Sequence, residues 1–555
     1  MATDWQRVGQ QKRETINSLL PPQWKLAEPV PDADSLPNAT KLPRSLLTER
    51  EIEITETHTA QQLAQKLADR TYTATEVTRA FCHRATIAHQ LVNCLSEVLF
   101  DSALKRAGEL DSYIATYRKP VGPLHGLPIS LKDQFRIEGA ETSVGYVGWL
   151  GKPETAETES EIVRMLIKSG AVVHAKTNVP TGLMAIETNN NIVGYTWNAF
   201  NRHLSSGGSS GGEASLIAMK GSLIGLGTDI GASIRLPASA NGLYGLKPSS
   251  GRLPYKGVAN TMEGQNIVES VVGPIAHRPS DLQLMMETLL SSKPWERDPC
   301  VLPLPWREIE QVEIGRRART SGLCFGVMRW DGMVMPHPPI LQAIDKIVTR
   351  LRENGHEVVE WMPPSHAEAF EILFQVFTAD GGAEIHKTLA LSNEPPVPQV
   401  AMSYGTEPGS LPTTSITEYW ALQLRKRSFQ ERYASYWQST ASTTSSGRVV
   451  DAVIMPVAPS ASVKPGQGRY FGYTGVANVL DYSAVTIPVG MVNKESDFSV
   501  EWRGHVPVSD MDREIWESFD PGDFHGAPVA IQLLGRRLEE EKLLAIAQEF
   551  ERWLL

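Results

Sequence analysis

Apolar residues along the chain follow two patterns. From about Thr59 they recur at helical spacing, as in Leu63-Ala64-Gln65-Lys66-Leu67 and Thr75-Glu76-Val77-Thr78-Arg79-Ala80-Phe81, which predicts helices with one buried face. Farther on, the short runs Leu127-Pro128-Ile129-Ser130-Leu131 and Ala171-Val172-Val173-His174-Ala175 have the length and content of buried strands. Between them, residues 161–169 put Ile162, Val163, Leu166 and Ile167 on one helical face, and Gly170 stands where a helix C-cap glycine belongs. Strand, helix, strand predicts an α/β sheet. Residues 450–457 read as a further strand, preceded by a Ser/Thr tract at 439–446 that reads as a low-complexity mobile loop. Residues 1–60 combine short amphipathic helical stretches with proline turns such as Leu20-Pro21-Pro22 and carry no candidate chemistry. They are expected to form an arm on the main body. The chain has no internal repeat.

Composition narrows the partners. With 555 residues, 41% hydrophobic and 21% charged, the chain can bury a large core and is too apolar for disorder. The net charge of -10 and the lack of any run of five Lys/Arg argue against nucleic acid. Cys82, Cys94, Cys300 and Cys324 show no Cys-x-x-Cys spacing, so neither a zinc ribbon nor a disulfide framework is expected, and a reducing compartment fits. The first residues, Met1-Ala2-Thr3-Asp4-Trp5-Gln6-Arg7, lack the apolar core of a signal peptide. No window has the roughly 18 uncharged apolar residues of a membrane span, and Arg552-Trp553-Leu554-Leu555 is neither a prenylation nor a peroxisomal signal. A soluble, cytoplasmic protein is expected.

The densest chemical signal is Ser205-Ser206-Gly207-Gly208-Ser209-Ser210-Gly211-Gly212-Glu213, a helix-like stretch at 214–220, then Gly225-Leu226-Gly227-Thr228-Asp229-Ile230-Gly231-Ala232-Ser233-Ile234-Arg235. It reads as two glycine-rich turns flanking one helix. Such turns let backbone N–H groups converge on an anion or a developing oxyanion. A flexible linker is set aside because apolar segments bracket both turns. A dinucleotide fingerprint fails because the third glycine of the Gly225-x-Gly227 pattern falls one residue late and Asp229 occupies the pyrophosphate position. A P-loop fails because no Gly-Lys-Ser/Thr follows. Gly207-x-Ser209-x-Gly211 matches a nucleophile elbow, with His525 as a possible base, but the preceding Asn201-Arg202-His203-Leu204-Ser205 is not a strand. His356-Glu357-Val358-Val359-Glu360 lacks the second histidine of a zincin helix and reads as an exposed surface segment. Lys132 closes an apolar strand, where desolvation favours the neutral amine that can act as a base, although for an arbitrary lysine at that place a side chain snorkelling from the sheet rim is the better reading.

Residues 207–237, with Lys132 upstream, resemble the amidase signature almost residue for residue, and Ser209 and Ser233 are 24 residues apart, that family's usual separation. The resemblance continues through Thr177-Asn178-Val179-Pro180, Gly245-Leu246-Lys247-Pro248-Ser249 and Gly526-Ala527-Pro528-Val529-Ala530-Ile531-Gln532-Leu533-Leu534-Gly535. It therefore covers most of the chain. The stretches 121–133 and Pro336-His337-Pro338-Pro339-Ile340 are most similar to the fungal acetamidase or general amidase branch.

What the resemblance implies is one large α/β domain over residues 61–555, a mixed many-stranded sheet covered by helices on both faces, with residues 1–60 as a helical arm. It implies a carboxamide hydrolase in which Ser233 is the nucleophile, Ser209 the bridging serine on a cis peptide bond and Lys132 the base. The backbone N–H groups of Ile230, Gly231, Ala232 and Ser233 form the oxyanion hole, Leu183 lines the substrate site, and Asp229 and Arg235 brace the loop as an ion pair. No metal or organic cofactor is required, and the partner is a small-molecule amide, with a homodimer possible. Where the family usually has two glycines before the nucleophile, this chain has Gly231-Ala232. The rival readings are the A subunit of a glutamyl-tRNA amidotransferase and a catalytically inactive binding homologue. The sequence leaves acetamide, indoleacetamide, formamide and longer fatty amides open as substrates.

Overall fold

The structure is a computed structural model that describes residues 4–498 and 504–553. Met1 to Thr3 and the tail residues Leu554 and Leu555, on which part of the leader and tail-signal reading rests, lie outside them. Among the described residues, eleven strands form one sheet: β1 Leu95–Val98, β2 Pro128–Lys132, β3 Val172–Thr177, β4 Ile224–Asp229, β5 Tyr244–Lys247, β6 Val271–Ala276, β7 Cys324–Val327, β8 Glu357–Glu360, β9 Ala452–Pro456, β10 Ala484–Met491 and β11 Pro528–Leu534. Their order is β1-β3-β2-β4-β6-β5-β10-β11-β9-β7-β8. The sheet is mixed: β2 runs parallel to both β3 and β4, while β4–β6 and β10–β11 pair antiparallel. The expected α/β class with a single mixed sheet is what the chain adopts.

The local predictions hold where an element carries its own pattern. Helix Glu161–Lys168 buries Ile162, Val163 and Leu166 and ends at Gly170, whose φ of 93° only glycine adopts freely. Helix Ala60–Ala68 begins at Thr59, which forms a capping box with Gln62. The N-terminal segment contains a helix of 16 residues, Asp4–Leu19. Lys12 on that helix reaches Glu97 of β1 and Glu141, at 2.5 and 2.7 Å, fastening it to the sheet edge.

Three predictions need correction. The stretch from Gly225 is not a turn: Ile224–Asp229 is the buried strand β4. Its glycines are there for close packing, since a Cβ at Gly225 would lie 1.7 Å from Glu213 Oε1, and one at Gly227 would lie 2.6 Å from Ser210 Oγ. The tract at 439–446 is not a loop on its own. It closes the helix Ile416–Ser439, continues as the turn Thr440–Ser442, and its Ser446 hydroxyl donates to Glu357. Finally, residues 357–360 form the edge strand β8, with His356 buried just before it and its Nδ1 accepting the Leu323 N–H.

Candidate active site

The site lies where β2 and β4, parallel neighbours, end beside the N-terminus of helix Gly211–Ala218. This is the usual place for chemistry in an α/β sheet, because backbone donors and strand-end side chains converge there. Lys132 is the last residue of β2, and its strand neighbours Leu131 and Ile129 alternate into the opposite core layer. The amine is completely buried and lies 2.7 Å from Ser209 Oγ and 2.8 Å from Thr228 Oγ1. Burial pushes it down to about 7, against the opposing pull of Asp229, Glu213 and Asp133. Burial therefore favours the free-base amine over the charged form.

Ser209 follows a cis peptide bond to Gly208 just ahead of the helix. Gly208 lies so close to the neighbouring chain that a Cβ there would sit 2.6 Å from the Ala185 carbonyl oxygen. The Ser210 N–H donates to the Ser233 carbonyl at 3.1 Å, joining the two serine-bearing segments.

The loop after β4 is shaped by a buried ion pair. Arg235 Nη2 lies 2.9 Å from Asp229 Oδ1 and its Nε 3.1 Å from Oδ2, both side chains fully buried. Burial alone would raise the Asp229 carboxyl, but the adjacent guanidinium brings it down to about 2. Asp229 Oδ2 also accepts the N–H of Ile234 at 3.1 Å. The preceding N–H groups, of Ile230, Gly231, Ala232 and Ser233, donate to no protein acceptor among the described residues. Four unpaired amides in one tight loop form the kind of nest that receives an oxyanion. Ala232 is outside the left-handed region, so its methyl group is accommodated without backbone strain.

This loop forms one wall of a cavity of about 70 Å³, into which Ser233 faces. The other walls are apolar and include Leu183, Met184, Phe377 and Phe471, with the partly exposed Phe374 and Met402 at the rim. Of the residues singled out for the site, Leu183, Ile230, Gly231, Ala232 and Ser233 line this cavity, while Lys132 and Ser209 form a buried pair linked to the Ser233 segment through the Ser210 N–H. The structure joins Lys132 to Ser209 by a hydrogen bond but leaves the Ser233 hydroxyl without a partner among the described residues. Catalytic hydrogen bonds often tighten only with substrate in place. His525 is exposed, takes the Lys494 N–H at 3.4 Å, and no strand leads into Ser209, so the nucleophile-elbow alternative has no base and no elbow.

Sequence reasoning missed Thr228, Gln134 and Glu213, and the walls from Phe374, Phe377, Met402 and Phe471. Thr228 and Glu213 stand inside the signature and could have been suspected. The wall residues carry no local signal. The four cysteines are free thiols, and among the described residues no helix is long and apolar enough to cross a membrane.

The fold and this site define an amide-hydrolysing enzyme class, and comparison with known proteins agrees. The Amidase family profile matches residues 76–544. An acetamidase of Aspergillus oryzae is 44% identical over 549 residues, 99% of this chain and 98% of that protein. An acetamidase of Emericella nidulans is 43% identical, again over 99% of this chain and 98% of the other. Among solved structures, a fatty acid amide hydrolase matches with a TM-score of 0.92 at 32% identity, covering 99% of this chain and 95% of that one. The chain belongs to the amidase family, as an amide hydrolase with the amidase-signature fold and an acetamidase-like sequence along nearly its whole length.

Proposed function

We propose that the chain hydrolyses short-chain carboxamides through an acyl-enzyme on Ser233, with Ser209 as proton bridge and Lys132 as base. The observation that carries this reading is the fully buried Lys132 amine 2.7 Å from Ser209 Oγ, where burial favours the neutral form. As Ser233 Oγ attacks the carbonyl carbon, its proton passes to Ser209 Oγ while the Ser209 proton passes to Lys132 Nζ. The oxyanion is received by the free amides of Ile230, Gly231, Ala232 and Ser233. Collapse of the tetrahedral intermediate breaks the C–N bond, and the proton held on Lys132 returns through Ser209 to the leaving nitrogen. Water then attacks the ester, giving up its proton to the same pair, and the carboxylic acid departs with Ser233 restored.

The substrate class rests on the relatives and on the cavity walls. The acetamidases of Aspergillus oryzae and Emericella nidulans, 44% and 43% identical to this chain, support a short acyl group. The apolar walls suit an aliphatic acyl group. Residues 1–60, which carry none of these groups, we assign as the arm, and residues 61–555 as the catalytic body.

Ammonia release by the purified single chain across amides of rising acyl length tests the reading. Turnover should be highest for the shortest amides and should need no partner protein, which separates the enzyme from an amidotransferase subunit. Ser233→Ala should abolish both turnover and labelling by a fluorophosphonate. An adduct on Ser209 with Ser233 untouched would reverse the assignment.

A further inference from the structure

The directions of the hydrogen bonds around Lys132 are set by Gln134, a fully buried residue two positions along the chain. Its Nε2 lies 2.9 Å from the Ala259 carbonyl oxygen and 2.9 Å from Tyr255 Oη. A backbone carbonyl can only accept, so the amide nitrogen must face Ala259 and the side chain has a single orientation. Tyr255 Oη in turn donates to Ser270 Oγ at 3.1 Å, which leaves it free to accept from Gln134. Gln134 Oε1 then faces Thr228 Oγ1 at 2.6 Å, and this oxygen can only accept.

The single Thr228 hydroxyl proton is therefore spent on Gln134. What Thr228 offers to Lys132 Nζ, 2.8 Å away, is a lone pair, and Lys132 must donate to it. A neutral amine has two N–H bonds and one lone pair. With one N–H committed to Thr228, the second N–H and the lone pair remain for Ser209 Oγ at 2.7 Å, and it is the lone pair that must receive the Ser209 proton. We infer that Gln134 is a positioning residue: by holding the Thr228 proton, it prevents that proton from occupying the Lys132 lone pair that Ser209 must use. This rests on the reading of Lys132 as the base.

The test compares kcat and KM for Gln134→Leu, Thr228→Val and the double variant of the full chain. In Gln134→Leu the released Thr228 hydroxyl turns to donate to Lys132, so kcat should fall about 10-fold or more, within the span that general-base catalysis contributes, with KM nearly unchanged. Adding Thr228→Val removes the competing proton, and the double variant should recover to the rate of Thr228→Val alone, faster than Gln134→Leu. Two merely structural losses would instead add, leaving the double variant slowest. That order, or a Gln134→Leu kcat equal to wild type, overturns the inference. Should Gln134→Leu not fold, Gln134→Met makes the same comparison. Lys132→Ala, measured alongside, separates the two readings. If it keeps the wild-type rate, the base assignment itself fails. If it is dead while the double variant is slowest, only the role of Gln134 fails.

Discussion

Replacing Lys132 by methionine, a side chain of similar length without charge, should destroy activity and stabilise the protein below pH 7. In the folded chain burial brings the amine to about 7, whereas in the unfolded chain it titrates near its ordinary 10.5. Between those values the unfolded chain binds more protons, so wild-type stability rises with pH through that window. Below about pH 7 both states carry the proton and the cost of burying it is fully present. Above 10.5 neither does, and the cost is gone. At roughly 1.4 kcal/mol per pH unit the interval corresponds to about 5 kcal/mol. Lys132→Met has no such proton. The stability difference between the two proteins, read from urea unfolding at pH 6, 8 and 10, should therefore shift toward wild type by about 4 kcal/mol between pH 6 and 10. Groups remote from Lys132 cancel in the difference; Glu213, raised by burial to about 7 and lowered by Lys132, is the exception. The activity profile reads the same equilibrium: the wild-type acid limb should have its midpoint near pH 7 and retain about a tenth of the plateau one pH unit lower. Parallel pH–stability curves for the two proteins, or an acid limb that survives the substitution, would refute the argument.

Two further substitutions test the loop after β4. Asp229→Asn leaves the Arg235 guanidinium buried without its counter-charge, and should cost about 3–5 kcal/mol. A loss below about 1 kcal/mol in urea unfolding would put it in the range of a surface pair and show that the ion pair does not brace the loop. Ala232 packs with Leu236 and Ala458, against Ile186 and Phe471, at the cavity wall. Ala232→Gly should leave acetamide turnover near wild type and raise kcat/KM for bulkier acyl groups about 10-fold, the worth of a single methyl in a pocket. A uniform rise across acyl lengths would point instead to a strained oxyanion loop.

The sequence by itself determined what is written within single elements. The resemblance to the amidase signature linked Ser209, Ser233 and Lys132, while the apolar runs gave β2, β3 and β9 and the one-sided pattern gave helix Glu161–Lys168. These signals are local, because strand alternation, helix periodicity and turn chemistry are each fixed within a few residues. Tertiary structure decided the rest. Gly225 and Gly227 look like turn residues in isolation, and only the pressure of Glu213 and Ser210 on β4 shows why a buried strand must lack side chains there. The Thr228–Gln134 bond spans 94 positions and exists because β2 and β4 are neighbours in the sheet. The cavity walls from Phe377 and Phe471 reach Ser233 only through the packing of distant helices. The chain order carries no record of such contacts, and the depressed Lys132 value depends on them, since burial is a property of the assembled sheet and its helices.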